Sequence, residues 1–201
     1  MDLFSIISIL FTSYLTVDFV RYISRREMKK DFAALRTLKN YRWLMAIPVV
    51  LVTLTLTFTI GFLLYTYGQP ILNFSWIQLI PSGDKTNEPQ NLMVSGLSIP
   101  WFAWIFWVLL VINVPRLAKR EERAFRQHTR GWKEALWQSV KFGLVHCFVG
   151  VPIAFGLALT IPGLLFAYTY SKGGIRLSTA WHAVYNWVIL TFAMLFISGI
   201  L

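Results

Sequence analysis

From Trp43 to Tyr67 the chain carries no charged side chain. A bilayer crossing takes about 20 mostly apolar residues. In hydrocarbon every backbone N–H and C=O must find its partner inside the segment, so this run is expected to form a spanning helix. Further apolar runs cover Leu3 to Tyr22, Ile99 to Asn113, Trp137 to Gly150, Pro152 to Tyr170 and Ser178 to Ile200. They are continuous and lack the alternation of barrel strands, which favours helices. The pattern predicts an all-α fold, a polytopic transmembrane helix bundle of about six spans, as a single integral membrane domain over residues 1–201.

Charge is scarce and one-sided. Only 14% of residues are charged, against about 25% in soluble domains. All but one of the 19 Lys and Arg residues fall in segments 21–42, 116–141 and 172–176; the exception is Lys85, in the loop from Gln69 to Ser98. With six spans those three segments share a face. The positive-inside rule then makes that face cytoplasmic and both termini non-cytoplasmic. The net charge of +10 thus reads as a topology signal suited to anionic headgroups, which makes the lipid bilayer the expected partner and nucleic acid an unexpected one. The expected location is the plasma membrane of a prokaryote, as a multi-pass protein. The single cysteine, Cys147, excludes an internal disulfide framework. The start Met1-Asp2-Leu3 has no basic n-region and no small-residue cleavage site, so the first run is read as a retained span. Segment 21–42 is read as a solvated loop, ahead of an amphipathic surface helix turning Phe32, Leu35 and Leu38 to lipid. Asp18 in the first span needs a partner, with Arg21 the nearest candidate. The loop around Trp76 and the turn Pro81-Ser82-Gly83-Asp84 is read as resting on the bilayer without chemistry.

Ionisable residues at membrane depth are costly and mark functional sites. His182 and Asn186 are four apart and share a helix face; Phe142 and His146 repeat that spacing. His182 lies about 9 Å past Arg176 and His146 about 7.5 Å past Lys141 at helical rise, so the two imidazoles sit at similar depth. One intramembrane histidine is as often an interhelical hydrogen-bonder as a catalyst; matched depth favours a shared site. Glu122 and Arg126 form an i, i+4 pair, and alone that string reads as a solvated helix end. A helix continuing beyond Pro115 carries Glu121 about 9 Å outward, to the interface slightly above the histidines. Beside two imidazoles a carboxylate would serve as general base on a water, with the histidines holding that water or an oxyanion and Asn186 donating to a substrate carbonyl. Equally, Glu121, His146 and His182 form a zinc set with an open fourth position. Cys147 is not read as the partner of His146, because adjacent helical residues point about 100° apart. His128 is read as solvated.

Taken in order, EExxxR at Glu121, Glu122 and Arg126, FxxxH at Phe142 and His146, and HxxxN at His182 and Asn186 resemble the three signature motifs of the CPBP family. These are the CAAX prenyl endopeptidases and the bacteriocin-processing or immunity proteins, also called the Abi family. The resemblance covers residues 116–190. It implies an intramembrane endopeptidase that hydrolyses a peptide bond near the cytoplasmic face. In that scheme Glu121 activates the water with support from Glu122 and Arg126, His146 shares the water, His182 and Asn186 form the oxyanion site, and Phe142 packs the substrate pocket. The implied substrate is a peptide or protein, with a prenylated tail or a leader peptide as the two options. The implied chemistry is either glutamate-dependent or zinc-dependent. A rival reading keeps the motifs for packing in a non-catalytic immunity or scaffold protein. A third, a transporter, expects polar residues strung through the bilayer depth, whereas these gather near one side.

Overall fold

In the computed structural model, which describes residues 3–25, 28–38, 41–79, 100–127 and 129–197, the uncharged run becomes one long helix. The helices are α1 (Leu3–Ser24), α2 (Met28–Phe32), α3 (Tyr41–Tyr67), α4 (Pro100–Arg126), α5 (Trp132–Val145), α6 (Ile153–Ala158) and α7 (Thr160–Ile197), with 3₁₀ turns at Ala33–Thr37, Trp76–Leu79 and His146–Val149. The expectations for Lys85, for His128 and for the turn at Pro81 to Asp84 lie outside the described residues.

α3 keeps its polar atoms to itself. The hydroxyls of Thr53, Thr55 and Thr57 donate to the carbonyls of Val49, Leu51 and Thr53 at 2.7, 3.0 and 2.7 Å, so these three need no water on an apolar cylinder. One side, through Ala46, Val50 and Leu54, enters the core with Phe166 and Val184. The other turns Leu44, Val52, Phe58 and Phe62 outward. A helix that is apolar and exposed in this way asks for lipid.

The expectation of about six spans is overturned. Among the described residues two helical stretches are long and apolar enough to cross a membrane by length and composition, Trp43–Tyr67 and Ile153–Leu195. The fold is an all-α bundle, and the assignment of both termini to the non-cytoplasmic side, which rested on six crossings, falls with that count. The physical reasons differ by helix. α5 has 14 residues and carries Lys133, Glu134 and Lys141, and at helical rise it reaches only about 21 Å of a roughly 30 Å hydrocarbon core. The apolar part of α4 stops at Arg116, after which Lys119, Arg120, Glu121, Glu122, Arg123 and Arg126 follow on the same helix. In α1, Asp18 of the last turns takes Arg116 as its ion-pair partner rather than the expected Arg21. The fifth and sixth expected runs stay distinct: α7 is two helices that meet at Gly173 and Gly174, whose backbone is not helical, Gly174 taking φ 62°, a conformation open mainly to glycine.

α4 also runs further than its proline suggested. Pro115 lacks an N–H, so the Val111 carbonyl loses its helical partner. Trp187 of α7 supplies the missing donor, Nε1 to the Val111 oxygen at 2.9 Å. The helix therefore passes through Pro115 without stopping and carries the glutamate pair onto α7, its most extensive packing partner.

Segment 21–42 is not a solvated loop. α2 and the following 3₁₀ turn fold back so that Ala34 and Leu38 are buried and Leu35 packs against the core. Its apolar side meets protein, not lipid. The anchor is Asp31, which accepts from Tyr22 Oη at 2.7 Å and Lys119 Nζ at 2.6 Å. Burial raises the Asp31 carboxyl, but the hydrogen bonds from Lys119 and Tyr22 outweigh it and hold the group below its ordinary value of 3.8. A depressed carboxylate contributes stability above its unfolded pKa that is lost as pH falls through the folded one. The thermal midpoint is therefore expected to drop below about pH 4, and Asp31→Asn to flatten that acid limb; an unchanged limb in the variant would dissociate Asp31 from it.

Helices α5, α6 and α7 meet through glycines. A Cβ on Gly143 would collide with the Gly156 backbone oxygen, and one on Gly163 would press on Ser139. Since a backbone oxygen cannot rotate away, Gly143→Ala is expected to cost about 1–3 kcal/mol, the range of core overpacking, read from unfolding in detergent. A neutral result would mean that α5 and α6 can separate freely.

Candidate functional site

Glu121 and Glu122 stand late on α4, His182 midway along the last half of α7, and the two helices cross so that all three meet. His182 Nδ1 lies 2.9 Å from Glu122 Oε1, and His182 Nε2 lies 3.5 Å from Glu121 Oε2. A carboxylate only accepts, so Nδ1–H is the donor toward Glu122 and that bond sets the tautomer. Neighbouring glutamates thus bracket one imidazole. They differ in access: the Glu122 side chain is 1% exposed and that of Glu121 34%.

Phe166 stacks on the His182 ring, centroids 4.2 Å apart and planes at 14°. Phe142 presents its edge to the same ring at 5.4 Å, and Phe125 and Phe166 in turn pack on Phe142. With Nδ1 bonded to Glu122 and the ring clamped, Nε2 has a fixed direction.

Arg126 is fully buried. One terminal nitrogen donates to the Gly163 carbonyl at 3.0 Å, Nε faces Glu122 Oε2 at 4.0 Å, and the guanidinium lies 5.4 Å over the Phe142 ring. Burial pulls its pKa below the ordinary value, opposed by the charges of Glu122 and Glu121. The expected solvated helix end is thus an interior ion pair. The glutamates do not stand above His182 as expected: both carboxylates lie against its ring.

Several atoms here have unused bonding capacity. Glu121 Oε2, Glu122 Oε2 and Arg126 Nε are buried without a hydrogen-bond partner among the described residues, as is Thr179 Oγ1. Thr179 precedes His182 by three residues and so shares its face of α7. Orphaned polar atoms gathered in one place are rare in folded proteins and mark where water or a ligand binds.

Of the residues expected at this site, Glu121, Glu122, Arg126, Phe142 and His182 are brought together. His146 reaches it only through Phe142: their rings are 5.0 Å apart, and its Nδ1 is tied to the Phe142 carbonyl at 2.8 Å. Since that carbonyl can only accept, Nδ1–H is the donor in this bond. Asn186 lies one turn beyond His182, half-buried. Among the described residues no group of three His, Cys, Asp or Glu side chains is close enough to hold a metal ion, so Glu121, His146 and His182 are not assembled as a zinc set. Cys147 packs its Sγ toward Gly156, and burial pushes its thiol pKa up, the opposite of an activated nucleophile.

The sequence did not point to Phe166, Gly163 or Thr179. From the sequence the connection after α3 is expected only to rest on the bilayer; there Trp76 Nε1 donates to the Cys147 carbonyl at 2.8 Å and Ser75 Oγ to that of Gly150 at 2.8 Å, bracing the turn that carries His146. No family model matches the chain, and neither a curated protein nor a solved structure matches it.

Proposed function

We propose that this protein is a membrane-embedded endopeptidase resembling the CPBP proteases, with Glu121 as general base on a hydrolytic water. The observation that carries the reading is the pair of unequal glutamates on one clamped imidazole. Glu122, sealed, fixes His182; Glu121, open to solvent on one side, keeps an oxygen free beside Nε2. In the reaction Glu121 takes a proton from water as its oxygen attacks the peptide carbonyl, then returns that proton to the leaving amine. The Asn186 amide stabilises the oxyanion, and His182, on the same face of α7, joins it when Nε2 carries a proton as well as Nδ1. Phe142 lines the pocket, Arg126 sets the position of Glu122, and His146 reaches the water through Nε2 after a small movement of its turn. The substrate is a peptide or protein segment at the membrane surface, with a prenylated tail and a leader peptide as the two classes to try. The apolar helical stretches Trp43–Tyr67 and Ile153–Leu195 hold the enzyme in the bilayer. No step is routed through zinc, because the three donors it needs do not converge.

A second reading also has an observation behind it. Glu122, Arg126 and His182 are as buried as any structural polar network, and the same contacts would serve a non-catalytic immunity or scaffold protein by locking α4 to α7. The deciding experiment is cleavage of membrane-proximal peptides, prenylated and not, by purified wild type and Glu121→Gln, with and without chelator. The expected result is cleavage that survives chelator and disappears in the variant. Undiminished cleavage by Glu121→Gln would remove the proposed base.

A further inference from the structure

At the far end of α1 a cavity of about 160 Å³ is lined by Asp18, Arg21, Tyr22, Arg25, Arg116 and Arg120. Four guanidinium groups there face one carboxylate. Arg116 is committed: it grips Asp18 with both terminal nitrogens, at 2.9 and 3.0 Å, and lies 4.6 Å over the Tyr22 ring. It forms the floor. Arg21, Arg25 and Arg120 are exposed; none is in a direct ion pair among the described residues, and Arg21 and Arg120 only share with Arg116 the single charge of Asp18. A like-charged cluster held around a cavity on the ends of two helices costs free energy unless an anion is drawn in. The volume is ample for a phosphoryl group, since on the same measure a single water needs only about 10–15 Å³. Guanidinium forks match its oxygens.

The surface beside the cavity indicates where that phosphoryl group comes from. Leu10, Tyr14 and Val17 are 64, 70 and 48% exposed, and their spacing of four and three residues places them in one stripe along α1. The next position on that stripe is Arg21, at the cavity wall. An apolar strip leading into a cationic cup matches one molecule in both its parts: acyl chain on the strip, headgroup in the cup.

We infer that the pocket between α1 and α4 is a binding site for the phosphoryl headgroup of an anionic phospholipid. It is separate from the glutamate–histidine centre and does not depend on the reading of that centre. The remaining positive charge after Asp18 is matched selects an anionic lipid over a zwitterionic one.

The test is titration of purified full-length protein in detergent with phosphatidylglycerol, phosphatidylcholine or inorganic phosphate, with bound lipid counted by native mass spectrometry. Each headgroup-facing arginine is expected to contribute about fivefold in affinity, so the combined Arg21→Gln, Arg25→Gln, Arg120→Gln variant should lose roughly 100-fold for phosphatidylglycerol. Arg116 is left in place to keep Asp18 paired. Arg25→Gln alone should lose about fivefold and serves if the triple variant does not fold. A control with Lys29→Gln, Lys30→Gln and Arg36→Gln removes as much charge from the neighbouring segment and should lose less than the single variant. Equal loss in the control, or wild-type affinity in the triple variant, would overturn the site. Displacement of bound lipid by inorganic phosphate at comparable concentration would overturn the lipid as its occupant.

Discussion

Glu121→Gln is expected to lower kcat for peptide cleavage by about 10²–10⁴-fold, the usual contribution of a positioned general base, with little change in thermal midpoint. The amide has the size and much of the hydrogen-bonding capacity of the acid, and the side chain is 34% exposed, so packing and desolvation hardly change. What it cannot do is accept a proton. Glu122→Gln, one residue on, is expected to behave differently. Its side chain is sealed, receives His182 Nδ1–H at 2.9 Å and faces Arg126, so the neutral amide leaves a buried guanidinium without its counter-charge. Stability and kcat should then fall together. Measuring both quantities on the same preparations separates the two glutamates. If Glu121→Gln also collapsed the midpoint while Glu122→Gln did not, the roles would be reversed and the open carboxylate would be the structural one.

Much of this centre was legible because it obeys helix periodicity. Glu122 with Arg126, Phe142 with His146, and His182 with Asn186 are each separated by four residues, a spacing any helix turns into one face, and α3 declared itself by a long uncharged run. What could not be read depends on contacts between distant segments. The continuation of α4 through Pro115 rests on an indole N–H from Trp187, and the burial of segment 21–42 rests on Asp31 finding Lys119 and Tyr22. Trp187 and Lys119 both lie far along the chain from the groups they meet. The span count failed on length and charge: α5 offers 14 residues, with Lys133, Glu134 and Lys141 among them. In α5, Phe142 is spent on the His182 ring and Gly143 on the approach of Gly156, so residues that looked like lipid contacts build the protein interior. His146 shows the limit from the other side. Its depth matched that of His182, but the helix gives way to a 3₁₀ turn at that residue, which no spacing argument anticipates.

Arg126 carries the largest expected effect on stability. It is wholly buried, its hydrogen bond to the Gly163 carbonyl joins α4 to α7, and its charge stands opposite Glu122. Arg126→Met keeps most of the volume and the contact with Phe142 but leaves Glu122 ionised in the interior with only the imidazole to answer it. Breaking one side of a buried pair costs about 3–5 kcal/mol, and the freed Gly163 carbonyl adds to that. Combining Arg126→Met with Glu122→Gln removes the stranded charge as well, and apolar or neutral replacements of whole buried pairs are often tolerated. The double variant is therefore expected to be more stable than Arg126→Met alone, giving a coupling energy of about 0.5–3 kcal/mol in a double-mutant cycle. Chemical unfolding in detergent micelles of wild type, both single variants and the double variant provides the four corners. Additive losses would mean that the 4.0 Å separation of Nε and Oε2 is too wide for the pair to act as one unit. In that case Arg126 would be held by the Gly163 carbonyl and the Phe142 ring alone, and Glu122 would owe its place to His182.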